Sequence, residues 1–514
     1  SEFNITFGIK GYSQNLTFVL EPNKDLISKD THVQYLDTEG KISHSDLITP
    51  SMHRIFKGTV WTPSAWEKVG WARILMLRDG VDPLFEGAFT IASEQYQIRS
   101  QSTVTEDTGN AKEQVMVYRI SKSNLEGRSD DKSSFPQSIC RSGEHHSIEP
   151  SFALLERQFN QGDLTDTIGS TSGCPNRRRV AYVGIATDCS YTAAFDSTDA
   201  VRQNILSVVN TASVVFENSF NISLGLRNLT ISDAACPGSA SDSTPWNVAC
   251  STGDLNWRLN RFSSWRGSID DDDNAYWTLM TECNTGGEVG VSWIGALCNY
   301  GSFGYTTSVG ANVVARVENA EWQVFAHESA HTFGAVHDCN SNTCAAGYGS
   351  TSQCCPLSSS TCDAGGEYIM NPSVAIGMTR FSPCSIGNVC SQLRTGSVNT
   401  RCLVDYNDAW NNGTINSPGT CGNGIVEDGE ECDCGGDSCE GRDAECCDAA
   451  TCQWRGECSS GNGGNNRSTG DSLASWVDRH RSLVIGLCAG VGGALLFLVV
   501  ACLLYSCRRR RKTV

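Results

Sequence analysis

Cysteine is distributed very unevenly along the chain, and this distribution constrains the fold more than any other feature of the sequence. The 514 residues include 26 cysteines; Cys140 alone lies in residues 1–170, whereas residues 421–458 contain eight. Because cysteines at this density are rare in reducing compartments, we expect a secretory environment with disulfide bonds. The 421–458 segment is too short to bury an adequate apolar core, so disulfides or a metal must stabilise it.

Length and charge set broad limits on the organisation and on the partners. At about 150 residues per domain, the length predicts roughly three structural units. The hydrophobic fraction of 39% and the charged fraction of 19% are ordinary for a globular protein. The formal net charge of -18 argues against nucleic acid as a partner, because a phosphate-binding surface needs clustered lysine and arginine.

An uncharged segment near the carboxyl terminus predicts a membrane anchor. Residues 483–505 are 23 consecutive positions without a charge, and at about 1.5 Å per residue a helix of this length crosses a hydrocarbon core of roughly 30 Å. The basic run RRRRK places residues 506–514 in the cytosol under the positive-inside rule. Residues 461–482 are rich in Gly, Ser and Asn and are typical of a flexible stalk. We therefore predict a single-pass type I membrane protein whose main part is extracellular or lumenal.

Six Asn-x-Ser/Thr tripeptides agree with this location, because the tripeptide is the acceptor for N-linked glycans. The opening sequence SEFNITFGIK contains neither a methionine nor an apolar run. We therefore expect an export signal that preceded residue 1 and has been removed. The glycosylation candidates are Asn4, Asn15, Asn221, Asn228, Asn412 and Asn466.

The apolar pattern divides the part of the chain before residue 421 into two units. Residues 1 to 170 carry short alternating apolar stretches, which predict a strand-rich domain. From residue 180 strand and helix patterns alternate, which predicts an α/β domain with a mixed sheet. The basic tripeptide RRR at 177–179 lies between the two units and is the kind of run that a furin-like protease cleaves, here after Arg179. A solvated surface run remains the alternative.

The stretch HESAHTFGAVHD, which begins at His327, contains three of the nine histidines of the chain. On a helix, His327 and His331 share one face, so both imidazoles can reach one metal ion. Gly334 ends the helix and lets the chain turn back, which brings His337 as a third ligand. Three protein ligands leave an open fourth position, as in a catalytic zinc (Zn2+) site. Glu328, on the adjacent edge, would act as the general base of peptide-bond hydrolysis.

This stretch matches the metzincin pattern His-Glu-x-x-His-x-x-Gly-x-x-His, and YIMNP at 368–372 resembles the Met-turn of that group, in which Met370 lies beneath the zinc ligands. Asp338 follows the third histidine, and CGNGIVEDGEECDCG resembles the start of a disintegrin domain. Together these motifs resemble the ADAM (adamalysin or reprolysin) family, in a shortened form like those of fungi. The resemblance implies an α/β metzincin catalytic domain, with a zinc-binding helix on a mixed sheet, after a strand-rich prodomain. A small disulfide-rich disintegrin-like segment and one transmembrane helix would follow.

The same resemblance implies domain boundaries and a second metal. The expected order is a prodomain (1–179), a zinc metalloprotease domain (180–408) and a partial disintegrin-like segment (417–460), followed by the stalk and the membrane helix. The disintegrin opening would bind calcium (Ca2+), with a simple acidic loop as the alternative. The brevity of the disintegrin-like segment, and the lack of an Arg-Gly-Asp sequence, argue against integrin binding. The implied calcium ligands are Asn423, the Ile425 carbonyl, Glu427, Glu430 and Asp433.

Two cysteines before the cleavage site are candidates for a thiol that fills the open zinc position and keeps a precursor latent. These are Cys140 and Cys174, and we favour Cys140 because a longer stretch of chain connects it to the cleavage site. Residues 180–482 hold 21 cysteines, an odd number. One cysteine is therefore left over for a free thiol or for a bridge to another domain.

These features predict a membrane-anchored zinc endopeptidase, latent until cleavage after Arg179, that cleaves extracellular or membrane-proximal proteins and can act as a sheddase. Its expected partners are protein substrates, a furin-like processing protease and a membrane. The alternative is a catalytically weak adhesion or binding protein that acts through the disintegrin-like segment. The intact histidines and Glu328 argue against this alternative.

Overall fold

The structure, a computed structural model, describes two long parts of the chain, which we name the amino-terminal region (residues 2–120) and the central region (residues 164–406). Both belong to one compact unit, Ser1–Asn412. In the second unit, Gly413–Val514, only Asp448 and Gln453 are described. Within the two regions the structure does not describe residues 10–14, 50–52, 64–65, 79, 81–82, 93, 105–110, 270–271, 285–287, 301–308, 318, 352 and 374–376.

Several predicted features lie outside the described residues. They are the disintegrin-like segment apart from Asp448 and Gln453, its calcium ligands, the stalk, the membrane segment 483–505, the basic tail, Cys140, Asn412 and Asn466. Among the helices that the structure does describe, none combines the length and the apolar character that crossing a bilayer requires.

The amino-terminal region consists of strands, as its alternating apolar pattern predicts. Seven of them form an antiparallel sheet in the order β1-β2-β5-β6-β7-β8-β9. One face of this sheet buries an apolar cluster that includes Phe18, Ile74 and Phe89, since alternate side chains of a strand point to the same face. The strands are β1 (Phe3–Gly8), β2 (Asn15–Pro22), β3 (Ile27–Leu36), β4 (Ile42–Ile48), β5 (Ile55–Thr62), β6 (Glu67–Arg78), β7 (Leu84–Ile91), β8 (Glu94–Val104) and β9 (Ala111–Ile120).

The central region alternates strands and helices, which confirms the predicted mixed α/β class. Its elements are β10 (Arg179–Thr187), α1 (Cys189–Ala193), α2 (Thr198–Phe220), β11 (Ile222–Ile231), α3 (Leu255–Arg266), β12 (Trp277–Thr281), β13 (Gly290–Ser292), β14 (Ala311–Ala315), α4 (Glu321–Thr332), α5 (Ser341–Ala345), α6 (Pro383–Thr395) and β15 (Val404–Asp405). Short 3-10 helices cover Leu164–Thr167, Cys250–Thr252 and Tyr348–Thr351.

One eight-stranded sheet joins the two regions. Its order is β13-β14-β12-β10-β11-β3-β4, with β15 pairing separately with β10. Strands β10, β11, β12 and β14 are parallel, whereas β13 is antiparallel at one edge. Strand β3 of the amino-terminal region pairs with β11 in parallel. A strand edge presents unpaired N–H and C=O groups, and β3 satisfies those of β11.

The predicted boundary between domains 1–179 and 180–408 therefore does not separate two independent cores. The main apolar core of the central region includes Ile27 and Val33 from β3, together with Leu75 from β6. Helix α2 lies over β11 and contacts β6 and β7 of the amino-terminal sheet. The alternating pattern of single strands cannot reveal this sharing, because it does not identify the sheet that each strand joins.

Seven disulfides join all the described cysteines of the central region in pairs. The pairs are Cys174–Cys390, Cys189–Cys236, Cys250–Cys283, Cys298–Cys402, Cys339–Cys354, Cys344–Cys362 and Cys355–Cys384. Among the described cysteines that follow residue 180, Cys390 alone pairs with a cysteine that precedes Arg179. The prediction that Cys174 is a candidate latency thiol is wrong, because its sulfur is bonded to Cys390.

Candidate metal centre

Helix α4 carries the first part of the HESAHTFGAVHD motif through the interior of the central region. All of its residues are buried, so it packs on every side and its apolar residues need not lie on one face. Glu321 in the first turn accepts hydrogen bonds from the Tyr191 hydroxyl at 2.5 Å and the Asn204 amide at 3.0 Å. Residues of α1 and α2 thereby fix the start of the helix.

The chain reverses direction directly after α4, as predicted from Gly334. Gly334 has a φ of +96°, in the left-handed region that favours glycine. Its N–H donates to the His331 carbonyl at 2.8 Å, and the Ala335 N–H donates to the Ala330 carbonyl at 2.9 Å, which closes the end of the helix. This turn returns His337 to the helix face that carries the first two histidines.

The three histidines converge on one point. Nε2 of His331 lies 3.1 Å from Nε2 of both His327 and His337, and the third pair of Nε2 atoms is 3.2 Å apart. Three nitrogen ligands of a tetrahedral zinc, each about 2.05 Å from the metal, would be about 3.3 Å apart. The spacing of the nitrogens therefore suits a zinc ion.

Backbone carbonyls fix the tautomers of two of these ligands. Nδ1 of His327 lies 2.7 Å from the Ile369 carbonyl oxygen, and Nδ1 of His331 lies 2.7 Å from that of Ala335. Because a carbonyl only accepts, each Nδ1 carries the proton and each Nε2 presents a lone pair. Lone pairs this close repel one another unless a cation lies between them, so the donor set fits a bound metal.

Burial keeps the imidazoles in the neutral form that binds metals. Desolvation lowers the pKa of His331 to about 4, and it lowers the pKa values of His327 and His337 well below the ordinary value. The neighbouring histidines further lower the pKa values of His327 and His337. His327 and His331 are buried whereas His337 is half-buried, so His337 is the most exposed of the three.

Glu328 lies beside the edge strand β13. A Cβ atom at Gly290, the first residue of this strand, would lie 2.2 Å from Oε1 and 2.7 Å from Cγ of Glu328. Glycine at this position therefore leaves the space that the carboxylate occupies. Sequence reasoning missed Gly290, because the close approach of β13 to α4 has no local signal in the sequence.

The turn at Met370 is bonded to both parts of the motif. The carbonyl of Ile369 accepts from His327, and the carbonyl of Met370 accepts from the Asp338 N–H at 2.8 Å. The Met370 side chain is fully buried in the main core. The turn thus supports the helical ligand and the residue that follows the third ligand.

Asp338 connects the third histidine to α6. Its buried carboxylate accepts hydrogen bonds from the hydroxyls of Ser382 and Ser385, and Ser382 caps the amino terminus of α6. Burial raises the pKa of Asp338 to about 7 in spite of these bonds. The residue therefore holds the loop after His337 against α6.

A family model and several fungal proteins match this sequence, and their descriptions agree with one another. Residues 176–382 match the reprolysin-type model described as metallo-peptidase family M12. The chain is 45% identical over 506 residues to the Aspergillus fumigatus protein named "Disintegrin and metalloproteinase domain-containing protein B", with 88% of this chain and 64% of that protein covered. The protein of the same name from Arthroderma benhamiae is 41% identical over 513 residues, with coverages of 88% and 63%. These matches support a metallopeptidase domain of family M12 at residues 176–382.

The chain spans less than two thirds of the length of these fungal relatives. It is also 33% identical over 293 residues to the zinc metalloprotease mde10 of Schizosaccharomyces pombe, covering 53% of this chain and 55% of that protein. A solved structure, metalloproteinase-II from Bacteroides fragilis, aligns with a TM-score of 0.32 and 11% identity over 77% of this chain and 92% of that one. That likeness is too low to argue from. The family match and the fungal relatives confirm the resemblance found in the motifs.

The glycosylation candidates that the structure describes lie in different settings. Asn4 and Asn15 are exposed on β1 and β2. Asn228 lies in β11, where its side-chain oxygen accepts a hydrogen bond from another asparagine at 2.8 Å. Nδ2 of Asn221, the atom that would carry a glycan, donates to two backbone carbonyls at 3.0 and 3.1 Å. The folded structure therefore disfavours the predicted glycan at Asn221.

Proposed function

We propose that this protein is a zinc-dependent endopeptidase that hydrolyses peptide bonds in extracellular or membrane-proximal proteins. The observation that carries the proposal is the convergence of three neutral Nε2 atoms, the first of which belongs to the residue that directly precedes Glu328 on α4. The relative in Schizosaccharomyces pombe is named a zinc metalloprotease. Zinc is therefore the metal that we assign to the three histidines.

The reaction follows from the roles of these side chains. His327, His331 and His337 would hold zinc, which supplies a Lewis acid that polarises the carbonyl of the scissile bond. The Glu328 carboxylate accepts a proton from the attacking water, so that the new carbon–oxygen bond forms without a free hydroxide. Glu328 then donates this proton to the leaving amine as the carbon–nitrogen bond breaks.

An extended peptide is the substrate form that suits the site. Strand β13 lies at the edge of the sheet and begins at Gly290, which lies against Glu328. Backbone groups of an edge strand can pair with an extended peptide. Such pairing would deliver a peptide bond to the metal centre without demanding a particular side chain.

We also propose that the enzyme acts at a membrane as a sheddase and is latent until a furin-like protease cleaves after Arg179. The apolar run 483–505, the basic tail and the RRR sequence support this proposal. The seven disulfides agree with a secretory location. With Cys174 paired, Cys140 is the remaining candidate for the latency thiol, and the calcium site stays a prediction.

Replacing Glu328 by Gln in the full chain, with both proteins assayed after processing by a furin-like protease, tests the catalytic proposal. We expect about one zinc per chain in both proteins, and cleavage of an unfolded protein slower by about 10²–10⁴-fold in the variant. Glu39→Gln, at an exposed carboxylate of the amino-terminal region, should leave the rate unchanged. Absence of bound zinc, or an equal cleavage rate in the Glu328→Gln protein, would show that the proposal is wrong.

A further inference from the structure

Residues 164–178, which we name the tethered segment, are the first part of the central region and are packed onto the rest of it, although they precede the proposed cleavage bond. Leu164 is buried in a cluster with Cys355 and Cys384. At Gly387 of α6, a Cβ atom would lie 1.8 Å from the Thr167 carbonyl oxygen, so the backbones of α6 and of this segment are in direct contact. The fit depends on the absence of a side chain at that position.

A disulfide fixes the same segment to α6. Cys174 is bonded to Cys390, and Cys390 is fully buried. Gly173, with a φ of +104°, lies so close to α6 that a Cβ atom would be 2.3 Å from the Cys390 carbonyl oxygen. The covalent link therefore lies in a closely packed contact rather than between two exposed loops.

The end of the tethered segment is bonded to the carboxyl end of α2. Asn221, the left-handed cap residue of α2 with φ +55°, donates from its amide to the carbonyls of Pro175 and Asn176. It also accepts from Nε of Arg178 at 3.0 Å. Arg178 forms an ion pair with the buried carboxylate of Glu217 at 3.1 Å.

Arg179 itself begins the central strand β10. Its N–H donates to the Asn221 carbonyl at 3.1 Å, and its guanidinium lies 3.6 Å from the Asp405 carboxylate. In the sheet it is paired with Ile222 of β11 on one side and with Asp405 of β15 on the other. The chain on both sides of the bond after Arg179 is therefore part of the fold of the central region.

We propose that the central region carries a binding surface for the tethered segment, and that cleavage after Arg179 yields two chains joined by Cys174–Cys390. The inference rests on the proposed cleavage. Hydrolysis breaks the peptide bond between Arg179 and Val180 and leaves the sulfur–sulfur bond intact. Separation of the two chains then needs either a second cut before Cys174 or reduction of the disulfide by a thiol, which supplies two electrons. One processing event is thus not sufficient to release the residues that precede Arg179.

Electrophoresis of the cleaved full chain with and without reductant tests the tether. When the full chain is cleaved by a furin-like protease during its secretion from cells, we expect the cleaved protein to give one denatured species without dithiothreitol and two with it. Mass spectrometry of the unreduced digest should find the peptides of Cys174 and Cys390 linked. Fragments that separate without reductant, or a different partner for Cys174, would overturn the inference.

Two double variants sharpen this test. Cys174→Ser with Cys390→Ser should release the amino-terminal fragment under denaturing, non-reducing conditions. Cys344→Ser with Cys362→Ser removes a bridge whose cysteines both follow Arg179 and should leave the fragments joined. If the first variant is not secreted, the peptide map of the unmodified chain still decides. If no cut occurs after Arg179, the proposed processing is wrong, and the disulfide map of the uncut chain still supports or overturns the tether.

Discussion

The metal centre and the Glu217 cluster are both buried polar sites, but only the Glu217 cluster contains the cations that balance its polar groups. The metal centre gathers three neutral imidazoles whose lone pairs converge within 3.2 Å, so its missing positive charge must come from a metal. The Glu217 cluster, which we define as Glu217, Ser213, Arg73 and Arg178, contains its own counter-ions. Arg73 lies 2.9 Å and Arg178 3.1 Å from the Glu217 carboxylate, and the Ser213 hydroxyl donates at 2.8 Å.

This difference shows which parts of the chain depend on one another. The ligands of the metal centre all lie between His327 and His337, so the central region supplies them alone. The cations of the Glu217 cluster come from β6 of the amino-terminal region and from the tethered segment. Removing either segment would leave a buried carboxylate with a missing partner, and an unpaired buried charge is costly. The amino-terminal region is therefore part of the packing of α2.

Glu217→Ala should have the largest effect on stability, because it leaves Arg73 buried without its carboxylate. The two side chains are 8% and 5% exposed, and breaking a buried pair of this kind costs about 3–5 kcal/mol. Denaturant unfolding of the disulfide-intact chain measures this loss. Zinc binding should persist in the folded variant, because no ligand of the metal centre belongs to the cluster.

A surface pair provides the matched control for this prediction. Arg202 pairs with Asp199 one turn away on α2, and the Asp199 side chain is 68% exposed. Asp199→Ala should therefore cost no more than about 1 kcal/mol. Equal losses from Glu217→Ala and Asp199→Ala would show that burial does not distinguish the cluster from an ordinary surface pair.

Gly290→Ala should have the next largest effect, and this effect should fall on activity rather than on stability. The added Cβ meets the Glu328 side chain at 2.2 Å, and the far end of that side chain can move whereas the strand cannot. A displacement of about 1 Å in a catalytic group costs on the order of 10²-fold in rate, which corresponds to about 2.7 kcal/mol. Steady-state cleavage kinetics measure the loss of rate, and metal analysis measures the bound zinc.

The bound zinc and the unfolding temperature should stay unchanged in this variant, since none of the three ligands is displaced. Gly238→Ala is the matched control, because no atom lies within 4 Å of the position that its new methyl group would take and its φ is ordinary. If Gly290→Ala cleaves as fast as the unchanged enzyme, Gly290 does not position Glu328. If zinc is lost as well, the glycine serves the whole metal centre.

The sequence predicted the metal centre in detail because its ligands are close along the chain. A helix pitch, a glycine turn and a third histidine are enough to bring His327, His331 and His337 together. The groups that surround these ligands could not be predicted in the same way. The carbonyl of Ile369 and the space at Gly290 reach the site from distant elements, and a backbone carbonyl is present in every residue.

The sharing of one sheet by both regions could not be predicted either. Alternation identified strands in the amino-terminal region, but it did not show that β3 pairs with β11 while its neighbours form a separate sheet. Likewise, the odd cysteine count left open a free thiol or a bridge, and the partner of Cys390 depends on where the tethered segment packs. Arg178 was interpreted only as part of a protease recognition run, yet its guanidinium also neutralises Glu217.

Acidification should have the smallest of these effects and should act through the Glu217 cluster. Burial raises the pKa of Glu217, but Arg73, Lys57 and Arg178 outweigh it and leave this pKa below its ordinary value of 4.5. A carboxyl group whose pKa is lower in the folded state stabilises the fold above its unfolded pKa, and this contribution is lost as the pH falls through the folded pKa. The unfolding temperature should therefore drop below about pH 4.5 less steeply in Glu217→Gln than in the unchanged chain. If the unfolding temperatures of the two proteins fall with pH at the same rate, protonation of Glu217 does not weaken the Glu217 cluster.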